Sequence, residues 1–409
     1  MLVHICCSVD SHYFLRELGR AYPNEELVGF FYNPNIHPQE EHDLRLSDVR
    51  RSCRLLNIRL IEGDYELDSW LEDVRGFEDA PEKGARCSVC FDSRLLRTAR
   101  LAKELGIDRF TTTLLSSPMK EQEILYRQGD SIASKLGLDF VKINVRANGG
   151  VNKQNELAKA DNLYRQNYCG CKFALGAQRD KQNKFSLEML SSLNGQVMPA
   201  SIESRQALFG KRDKLEGASK DYLLSQRKQV VWRLLNATIL QDKAVIPSYV
   251  LARSASKTKS KSGDIAWVKP KLPSFYSLYD PALVLSSLDS LDCMDRGAAF
   301  ASFVAARDVE YAKDPNLLIG YSKRDDSVFL GIGMLNFLLF TNYASTRALV
   351  RCPPSYDEEL RLRQWLCGVE SVNPIVVLDS MPTGGLGITI NSLFQEEMTY
   401  NLVEALDSI

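Results

Sequence analysis

Six of the ten cysteines in this 409-residue chain fall into three close pairs: Cys6-Cys7, Cys87-x-x-Cys90 and Cys169-Gly-Cys171. Thiols at such spacing indicate metal or redox chemistry. They fit a zinc site, for which Cys-x-x-Cys is a frequent half-site, an iron–sulfur cluster held by thiolates from several segments, or dithiol–disulfide redox chemistry. The residues alone leave these alternatives open. One zinc ion or one cubane cluster takes at most four cysteines, so the remaining thiols could serve a second metal or a reactive position.

The first cysteine pair lies where a strand is predicted to end and a helix to begin. Leu2 to Ile5 is a short apolar run, and the Ser8 and Asp10 that follow are helix-capping residue types. The start of a helix offers free N–H groups and a partial positive charge, which favour thiolate over thiol. Because adjacent side chains point in different directions, we expect Cys6 and Cys7 to serve two neighbouring centres, with Asp10 as a candidate oxygen ligand.

Strands and helices are predicted to alternate over about 175 residues, which is typical of a doubly wound parallel sheet in the α/β class. The predicted strands cover residues 2–5, 27–32, 58–62, 109–114 and 140–145. Residues 40–57 have the amphipathic pattern of a helix with its charged residues on one face. Ligands of such sheets bind at the carboxyl ends of the strands, so we expect all three cysteine pairs to meet there.

The composition is that of an ordinary globular protein, with 44% apolar and 25% charged residues and a formal net charge of −1. Global charge therefore indicates no particular partner. No secretion signal is recognisable, and the longest apolar run, residues 328–340, is too short to span a bilayer. We expect a cytoplasmic protein without membrane association, in a reducing compartment where paired cysteines bind metals more often than they form disulfides.

The chain beyond residue 175 has a different charge pattern. Residues 176–271 carry an excess of basic side chains on the order of ten, and residues 272–409 carry an acidic excess of similar size. A Ser/Lys stretch at residues 255–263 is predicted to be a loop or hairpin tip. Short apolar runs after residue 316 indicate a folded domain, for which we expect a mixed α+β structure. We therefore divide the chain into domains 1–175 and 176–409.

The first loop also suggests a rival chemistry, the use of ATP. Residues 7–11, Cys-Ser-Val-Asp-Ser, have the rhythm of the S-G-G-x-D-S phosphate loop of ATP pyrophosphatases. Both glycines are missing, and without them the backbone cannot easily approach a pyrophosphate. The pattern thus favours a shared ancestral sheet over ATP binding.

Several short blocks of residues occur in order along residues 1–175. They are His4-Ile5-Cys6-Cys7; Asn33-Pro34-Asn35-Ile36-His37-Pro38; Glu41 with Arg45; Arg86-Cys87-x-x-Cys90-Phe91; Thr112-Thr113-Leu114 with Ser117-Pro118-x-Lys120; and Leu163-Tyr164-Arg165-Gln166-x-Tyr168-Cys169-Gly170-Cys171. In these blocks the chain resembles the QueH-type epoxyqueuosine reductases. Many members of that family continue Cys-Cys-x-Pro-Cys, whereas Val9 and Asp10 occupy the last two places here.

The resemblance implies a HUP-like sheet that holds a [4Fe–4S] cluster and an additional iron ion. It implies reduction of the epoxide of epoxyqueuosine to the alkene of queuosine, the last step of queuosine synthesis, without cobalamin. The substrate base is then already in the wobble position of a tRNA with a G-U-N anticodon, specific for aspartate, asparagine, histidine or tyrosine. The resemblance leaves the reductant unidentified.

We also expect roles for residues of these blocks and for Asp10, which departs from the family pattern. The expected metal ligands are Cys6, Cys7, Cys87, Cys90, Cys169, Cys171 and Asp10. Our hypothesis for the cluster combines one thiol of the first pair with both of the second pair and one or both of the third. Asp10 and His37 are the candidate proton donors. The expected substrate-binding residues are Arg45, Asn33, Asn35, Ser117, Lys120, Tyr164, Arg165 and Gln166.

The basic segment 176–271 is predicted to contribute to tRNA binding. A single modified base must leave the anticodon loop to enter a metal pocket, and basic residues would hold the RNA backbone by neutralising phosphates. Two other functions fit the residues: a zinc-stabilised RNA-binding protein without catalysis, and an ATP-using tRNA-modifying enzyme of the HUP type.

Overall fold

The computed structural model of this chain describes residues 1–190, 195–256, 261–268, 317–368 and 370–405, with only the backbone at residues 261 and 262. The described residues form two compact units. The first takes its residues from Met1–Leu190, Ser201–Gln226 and Tyr400–Ile409, and the second from Ser191–Ala200 and Arg227–Thr399. The middle of the predicted Ser/Lys loop and much of the acidic segment lie outside the described residues.

The first unit is built on a parallel sheet of five strands. The strands are β1 (Leu2–Ile5), β2 (Val28–Phe31), β3 (Arg59–Glu62), β4 (Arg109–Thr112) and β5 (Asp139–Phe140). The helices are α1 (Ser8–Ala21), α2 (Gln39–Leu55), α3 (Leu67–Asp73), α4 (Ala85–Glu104), α5 (Gln122–Leu136), α6 (Gly150–Ala160), α7 (Lys172–Lys181) and α8 (Ile202–Gly217). The strand order is β3-β2-β1-β4-β5, and every neighbouring pair is parallel. The predicted α/β class is confirmed.

The middle strand β1 is the point from which the chain winds in both directions. All four of its residues are buried, because the sheet is covered on both faces. His4 in this strand bonds to Thr112 Oγ1 at 2.8 Å and to the Tyr32 carbonyl oxygen at 3.0 Å. Burial lowers the pKa of His4 to about 3, so it is a neutral core residue. The residues after β1 and β4 lie at the switch point of the sheet, where ligands of this fold class bind.

Two segments differ from the predicted strands. Thr113–Leu115 forms a single 3-10 turn instead of extending β4, because the Thr112 hydroxyl accepts a hydrogen bond from the Leu114 N–H at 3.1 Å. β5 ends at Phe140, short of the predicted residue 145, and it pairs with β4 at two positions. With only two paired positions, this edge strand has few backbone hydrogen bonds to keep the following residues extended.

The second unit has mixed α+β structure, as predicted. Its strands, two of which also contribute residues to the first unit, are β6 (Tyr222–Gln241), β7 (Ala244–Val245), β8 (Ser248–Val250), β9 (Lys261–Gly263), β10 (Ile265–Val268), β11 (Ile319–Ser322), β12 (Val328–Gly331), β13 (Ile375–Leu378) and β14 (Leu386–Glu404). Its helices are α9 (Ile332–Leu339), α10 (Thr346–Arg351) and α11 (Tyr356–Cys367). One sheet has the order β10-β11-β12-β13-β8, and the other has the order β7-β6-β14-β9.

The apolar run at residues 328–340 divides into β12 and α9, and most of its side chains belong to the core of the second unit. Within the described ranges, no helix combines the length and the apolar character that crossing a membrane requires.

The first compact unit extends beyond residue 175, because α8 and the first residues of β6 belong to it. The division into domains 1–175 and 176–409 stays a prediction.

Candidate metal centre

Cys6, Cys7 and Asp10 form a group of potential metal ligands at the end of β1. Their ligand atoms all lie within 4.8 Å of one another, and no other three His, Cys, Asp or Glu residues of the described chain form such a group. The two Sγ atoms are 3.8 Å apart, and Cys6 Sγ is 3.5 Å from Asp10 Oδ2. This follows from α1, which begins directly after Cys7 and holds Asp10 in its first turn. A set of three protein ligands leaves a position open, as in catalytic metal sites.

The other four paired cysteines line a second, smaller cavity. They are Cys87, Cys90, Cys169 and Cys171. The first two lie one turn apart near the start of α4, and the last two lie in and at the end of the loop that leads into α7. Two segments far apart in the sequence thus provide four thiols around one space.

The two groups of thiols are neighbours. Arg94, Lys120 and Cys169 line both the small cavity and a larger one of about 760 Å³ that contains Cys6 and Cys7. Burial acts to lower the pKa of Arg94, but nearby thiols from all three cysteine pairs raise it overall. The three pairs therefore meet at the predicted edge of the sheet.

Arg45, on α2, fixes the loop that precedes the last pair. Its guanidinium donates to the carbonyl oxygens of Cys169 at 3.0 Å and Tyr168 at 3.1 Å, and its Nε donates to Glu41 at 2.8 Å. The side chain is buried. Arg45 also lines the larger cavity, so substrate binding by this residue stays a prediction, and its bonds to the loop carbonyls support an added role in positioning Cys169.

Gly170 explains why the last pair reads Cys-Gly-Cys. Its φ is 128°, which L side chains rarely adopt, and a Cβ there would lie 2.9 Å from Ile36 Cγ1. Glycine allows both the backbone conformation and the close approach. The loop can therefore turn tightly enough to bring Cys169 and Cys171 to the same cavity.

The surroundings of the small cavity affect its thiols differently. Burial raises the pKa of Cys90 and raises that of Cys171 to about 11. Burial also acts to raise the pKa of Cys169, but Lys120, whose Nζ is 3.1 Å from the Cys169 Sγ, and then Arg94 lower it overall. Cys169 is therefore held toward the thiolate form, which is the form that binds metals.

In the metal-free protein, Lys120→Gln is expected to slow the alkylation of Cys169 about tenfold at neutral pH, because loss of the Lys120 charge raises the pKa of this thiol. Cys169 loses its proton at a lower pH in the wild-type protein than in the variant. The curve of alkylation rate against pH should therefore lie at higher pH for Lys120→Gln. Iodoacetamide labelling followed by peptide mass spectrometry measures this rate. Lys142→Gln, at an exposed ion pair with Asp130, is the control and should leave the curve unchanged. Equal curves for Lys120→Gln and wild type would contradict the assigned charge effect.

The small cavity fits an iron–sulfur cluster better than a zinc ion. Four ligand atoms placed about 2.3 Å from one zinc ion lie about 3.8 Å from one another. Among the described residues, only Cys6, Cys7 and Asp10 form a group with ligand atoms so close together, all within 4.8 Å. A cluster accepts wider separations, because each thiolate binds a different iron atom. Arg94 and Lys120 are buried cations suited to an anionic cluster. Two buried N–H groups at the cavity, Trp70 Nε1 and Arg94 Nη2, have no hydrogen-bond partner among the described residues.

The larger cavity is rich in side-chain amides, which can pair with the edges of a nucleobase. The amide residues in its lining are Asn33, Gln154, Asn155, Gln166, Asn167, Gln178 and Gln182. Gln166 donates to the Cys7 Sγ at 3.0 Å, and Gln154 donates to Asp10 Oδ1 at 2.8 Å. Of the predicted substrate-binding residues, Arg45, Ser117, Lys120 and Arg165 line this cavity together with Asn33 and Gln166.

Three other predicted residues lie elsewhere. Asn35 lines the small cavity. Tyr164 is buried, and its hydroxyl donates to Glu41 at 2.9 Å. His37 packs its ring against Trp70 with centroids 5.6 Å apart, and burial lowers its pKa, which favours the neutral form. Neither Tyr164 nor His37 is among the described residues that line the two cavities. Their assigned roles stay predictions without support from position.

Trp70, Arg94 and Gln154 are site residues that the sequence interpretation did not identify. Arg94 follows Cys90 by four residues in α4, so helical spacing could have placed both on one face. Trp70 and Gln154 come from α3 and α6, and no local pattern connects them to a cysteine pair.

Comparison with known proteins identifies a family that this chain matches. The family described as "Epoxyqueuosine reductase QueH" matches residues 1–177. The protein named epoxyqueuosine reductase QueH in Helicobacter pylori is 39% identical over 411 residues, covering 98% of this chain and all of that protein. Proteins of the same name in Acinetobacter baylyi and Thermotoga maritima are 38% and 34% identical over 43% and 46% of this chain, and over 80% and 95% of their own lengths.

Among solved structures, the U34-tRNA thiolase NcsA from Methanococcus maripaludis with its [4Fe–4S] cluster matches 48% of this chain and 78% of its own. The identity is 12% and the TM-score is 0.21. A likeness this weak carries no argument about the present site.

Proposed function

Since this chain belongs to the QueH family of epoxyqueuosine reductases and is an oxidoreductase, we propose that it reduces the epoxide of epoxyqueuosine in tRNA to the alkene of queuosine. The observation that carries this proposal is the meeting of three cysteine pairs at one sheet edge, in a chain 39% identical to a QueH protein over nearly its whole length. The reaction takes up two electrons and two protons and releases the epoxide oxygen as water.

We assign the two groups of thiols to two iron centres. Cys87, Cys90, Cys169 and Cys171 would hold a [4Fe–4S] cluster, and Cys6, Cys7 and Asp10 would hold the additional iron ion. Bound in this way, the cluster would supply electrons and the iron ion would polarise the epoxide oxygen. The division differs from the hypothesis made from the sequence, because Cys6 and Cys7 lie together beside Asp10 instead of diverging.

Asp10 has two candidate roles, iron ligand and proton donor. It lines the larger cavity, and burial raises its pKa, which favours a protonated carboxyl in the metal-free protein. The hydrogen bond from Gln154 orients the carboxyl group. Substitution Asp10→Asn separates the roles: a ligand role predicts lost iron, and a donor role predicts retained iron with slowed turnover.

The substrate base would enter the larger cavity, whose volume of about 760 Å³ and amide lining suit a modified nucleobase. Gln166 and Gln154 each contact the Cys6–Cys7–Asp10 group and line this cavity, so a base that pairs with these amides would lie close to the proposed iron ion. The anticodon loop must present the base unstacked to reach them.

The function is tested with protein purified without oxygen and given tRNA that contains epoxyqueuosine, together with a chemical reductant. We expect a brown protein with iron and sulfide, and loss of one oxygen atom from the modified nucleoside in mass spectrometry. A colourless protein with stoichiometric zinc and no conversion would replace this proposal with the zinc-stabilised RNA-binding protein.

Lys181→Ala is expected to weaken tRNA binding several-fold and to reduce the salt dependence of binding by about one charge. Lys181 is exposed, lines the larger cavity and belongs to the basic segment 176–271 that we propose contacts tRNA. Binding measured by fluorescence anisotropy at several salt concentrations gives both quantities. Lys135→Ala, an exposed lysine on α5 outside this cavity, is the control. An unchanged salt slope for Lys181→Ala would remove Lys181 from the contact surface.

A further inference from the structure

Two buried N–H groups beside the four-thiol cavity lack an acceptor among the described residues. They are Nε1 of Trp70 and Nη2 of Arg94, in side chains that are 1% and 2% exposed. Both side chains line the cavity. Buried donors are nearly always paired, because a donor that gives up water without gaining an acceptor is costly. The cavity is therefore expected to contain an acceptor when it is filled.

Trp70 is held firmly in this position. It lies in α3 and packs in a small apolar cluster with Val74 and Ala174. Cys90 and Cys171 belong to the same cluster. The indole N–H lies close to the Cys90 thiol, without a hydrogen bond of good geometry to it. Trp70 thus presents a donor to the sulfur atoms that line the cavity.

Arg94 is fixed by its other nitrogen atoms. Nε donates to the Cys90 carbonyl oxygen at 3.2 Å, and Nη1 donates to Asn33 Oδ1 at 3.3 Å. Because the guanidinium is planar, these two bonds also set the direction of Nη2. The remaining donor is therefore oriented before any ligand binds.

We propose, resting on the iron–sulfur site of the proposed function, that Trp70 Nε1 and Arg94 Nη2 donate hydrogen bonds to sulfur atoms of the cluster and thereby raise its reduction potential. The reduced cluster carries one more negative charge on its iron and sulfur atoms than the oxidised cluster. Donors aimed at sulfur consequently stabilise the reduced form more. Trp70 and Arg94 would be positioning residues that make the cluster easier to reduce.

The test is the midpoint potential of the cluster in Trp70→Phe, which removes the N–H and keeps an aromatic ring in the apolar cluster. We expect iron and sulfide contents close to wild type, and a reduction equilibrium about five- to tenfold less favourable. A tenfold change corresponds to about 59 mV for a one-electron couple. If Trp70 only supported the fold, a variant that retains its cluster would keep the wild-type midpoint potential.

Trp232→Phe is the matched control. Trp232 is also buried, lies in the second compact unit, and donates its N–H to the Ser254 carbonyl oxygen at 3.1 Å. We expect its substitution to leave the midpoint potential unchanged. A Trp70→Phe protein with a full cluster and the wild-type potential would overturn the assignment for Trp70. The second donor is tested in the same way with Arg94→Lys, which keeps the charge but removes Nη2.

A measurement on the wild-type protein covers the case in which the variant does not fold. Tryptophan labelled with ¹⁵N in the indole ring should give a nitrogen coupling in the pulsed EPR spectrum of the reduced cluster, because the Trp70 Nε1–H then donates a hydrogen bond to cluster sulfur. Absence of that coupling would also overturn the assignment. If the wild-type protein binds no iron–sulfur cluster at all, the proposed function fails. If the cluster binds and its potential is the same in Trp70→Phe, only the hydrogen-bond assignment fails.

Discussion

Cys90→Ala is expected to abolish cluster binding and to lower the rate of epoxyqueuosine reduction at least about 100-fold. Loss of an outer partner of a metal ligand already costs 10–100-fold, and Cys90 is a proposed ligand itself. It is buried in α4, where alanine keeps the helix and removes only the thiol. Iron and sulfide analysis and a single-turnover assay under anaerobic conditions measure the two effects.

Cys53→Ala is the matched control for this loss. Cys53 is equally a buried cysteine in a helix, α2, and burial raises its pKa to about 12. It lines neither the small nor the larger thiol cavity among the described residues. We expect full iron content and turnover, with a stability cost of about 1 kcal/mol for the lost packing. Retention of the cluster in Cys90→Ala, or its loss in Cys53→Ala, would contradict the ligand assignment.

Arg212→Ala is expected to reduce the free energy of unfolding of the first unit by about 3–5 kcal/mol, because it leaves a buried carboxylate unpaired. Arg212, on α8, donates to Asp48 Oδ1 at 2.7 Å and to the Asn162 carbonyl oxygen at 2.8 Å. The side chains of Arg212 and Asp48 are each 1% exposed. The guanidinium also lies 4.8 Å from the centroid of the Phe209 ring. Denaturant unfolding followed by circular dichroism measures the loss.

Arg50→Ala provides the contrast. Arg50 forms two hydrogen bonds of 2.6 Å with Glu62, so its geometry is at least as good as that of the buried pair. Its side chain is 46% exposed and that of Glu62 is 40% exposed. Water and side-chain entropy offset most of the attraction of such a pair, so we expect a loss below about 1 kcal/mol. Equal losses for Arg50→Ala and Arg212→Ala would show that burial does not decide the effect.

The Arg212 substitution is also expected to reduce iron binding. Asp48, its partner, accepts a hydrogen bond from the hydroxyl of Ser8, which follows Cys7, and another from the Tyr164 N–H at 2.8 Å. Tyr164 begins the segment that leads to Cys169. α8 lies beyond residue 177, where the match to the family ends. In this chain, the part after the matched region therefore helps to hold the loops of the candidate metal centre.

Much of the secondary structure and of the cysteine arrangement could be predicted from residues close together in the sequence. The alternation of strands and helices, the placement of Cys6 and Cys7 between β1 and α1, and the spacing within each thiol pair are properties of short segments. Backbone periodicity and capping act over a few residues, so such features can be recognised without knowing the rest of the fold. The blocks resembling the QueH family are local in the same sense, and the full-length comparison confirmed that membership.

The tertiary structure alone decided which distant residues meet. Residues 40–57 were predicted to form a helix with its charged residues on one face. The structure buries Glu41, Arg45 and Asp48 of this helix, α2, because partners arrive from loops and from α8. Lys120 lies 49 residues from Cys169, and Arg212 lies 164 residues from Asp48. Contacts over such separations leave no periodic trace in the sequence, since their energy depends on burial that only the folded chain creates.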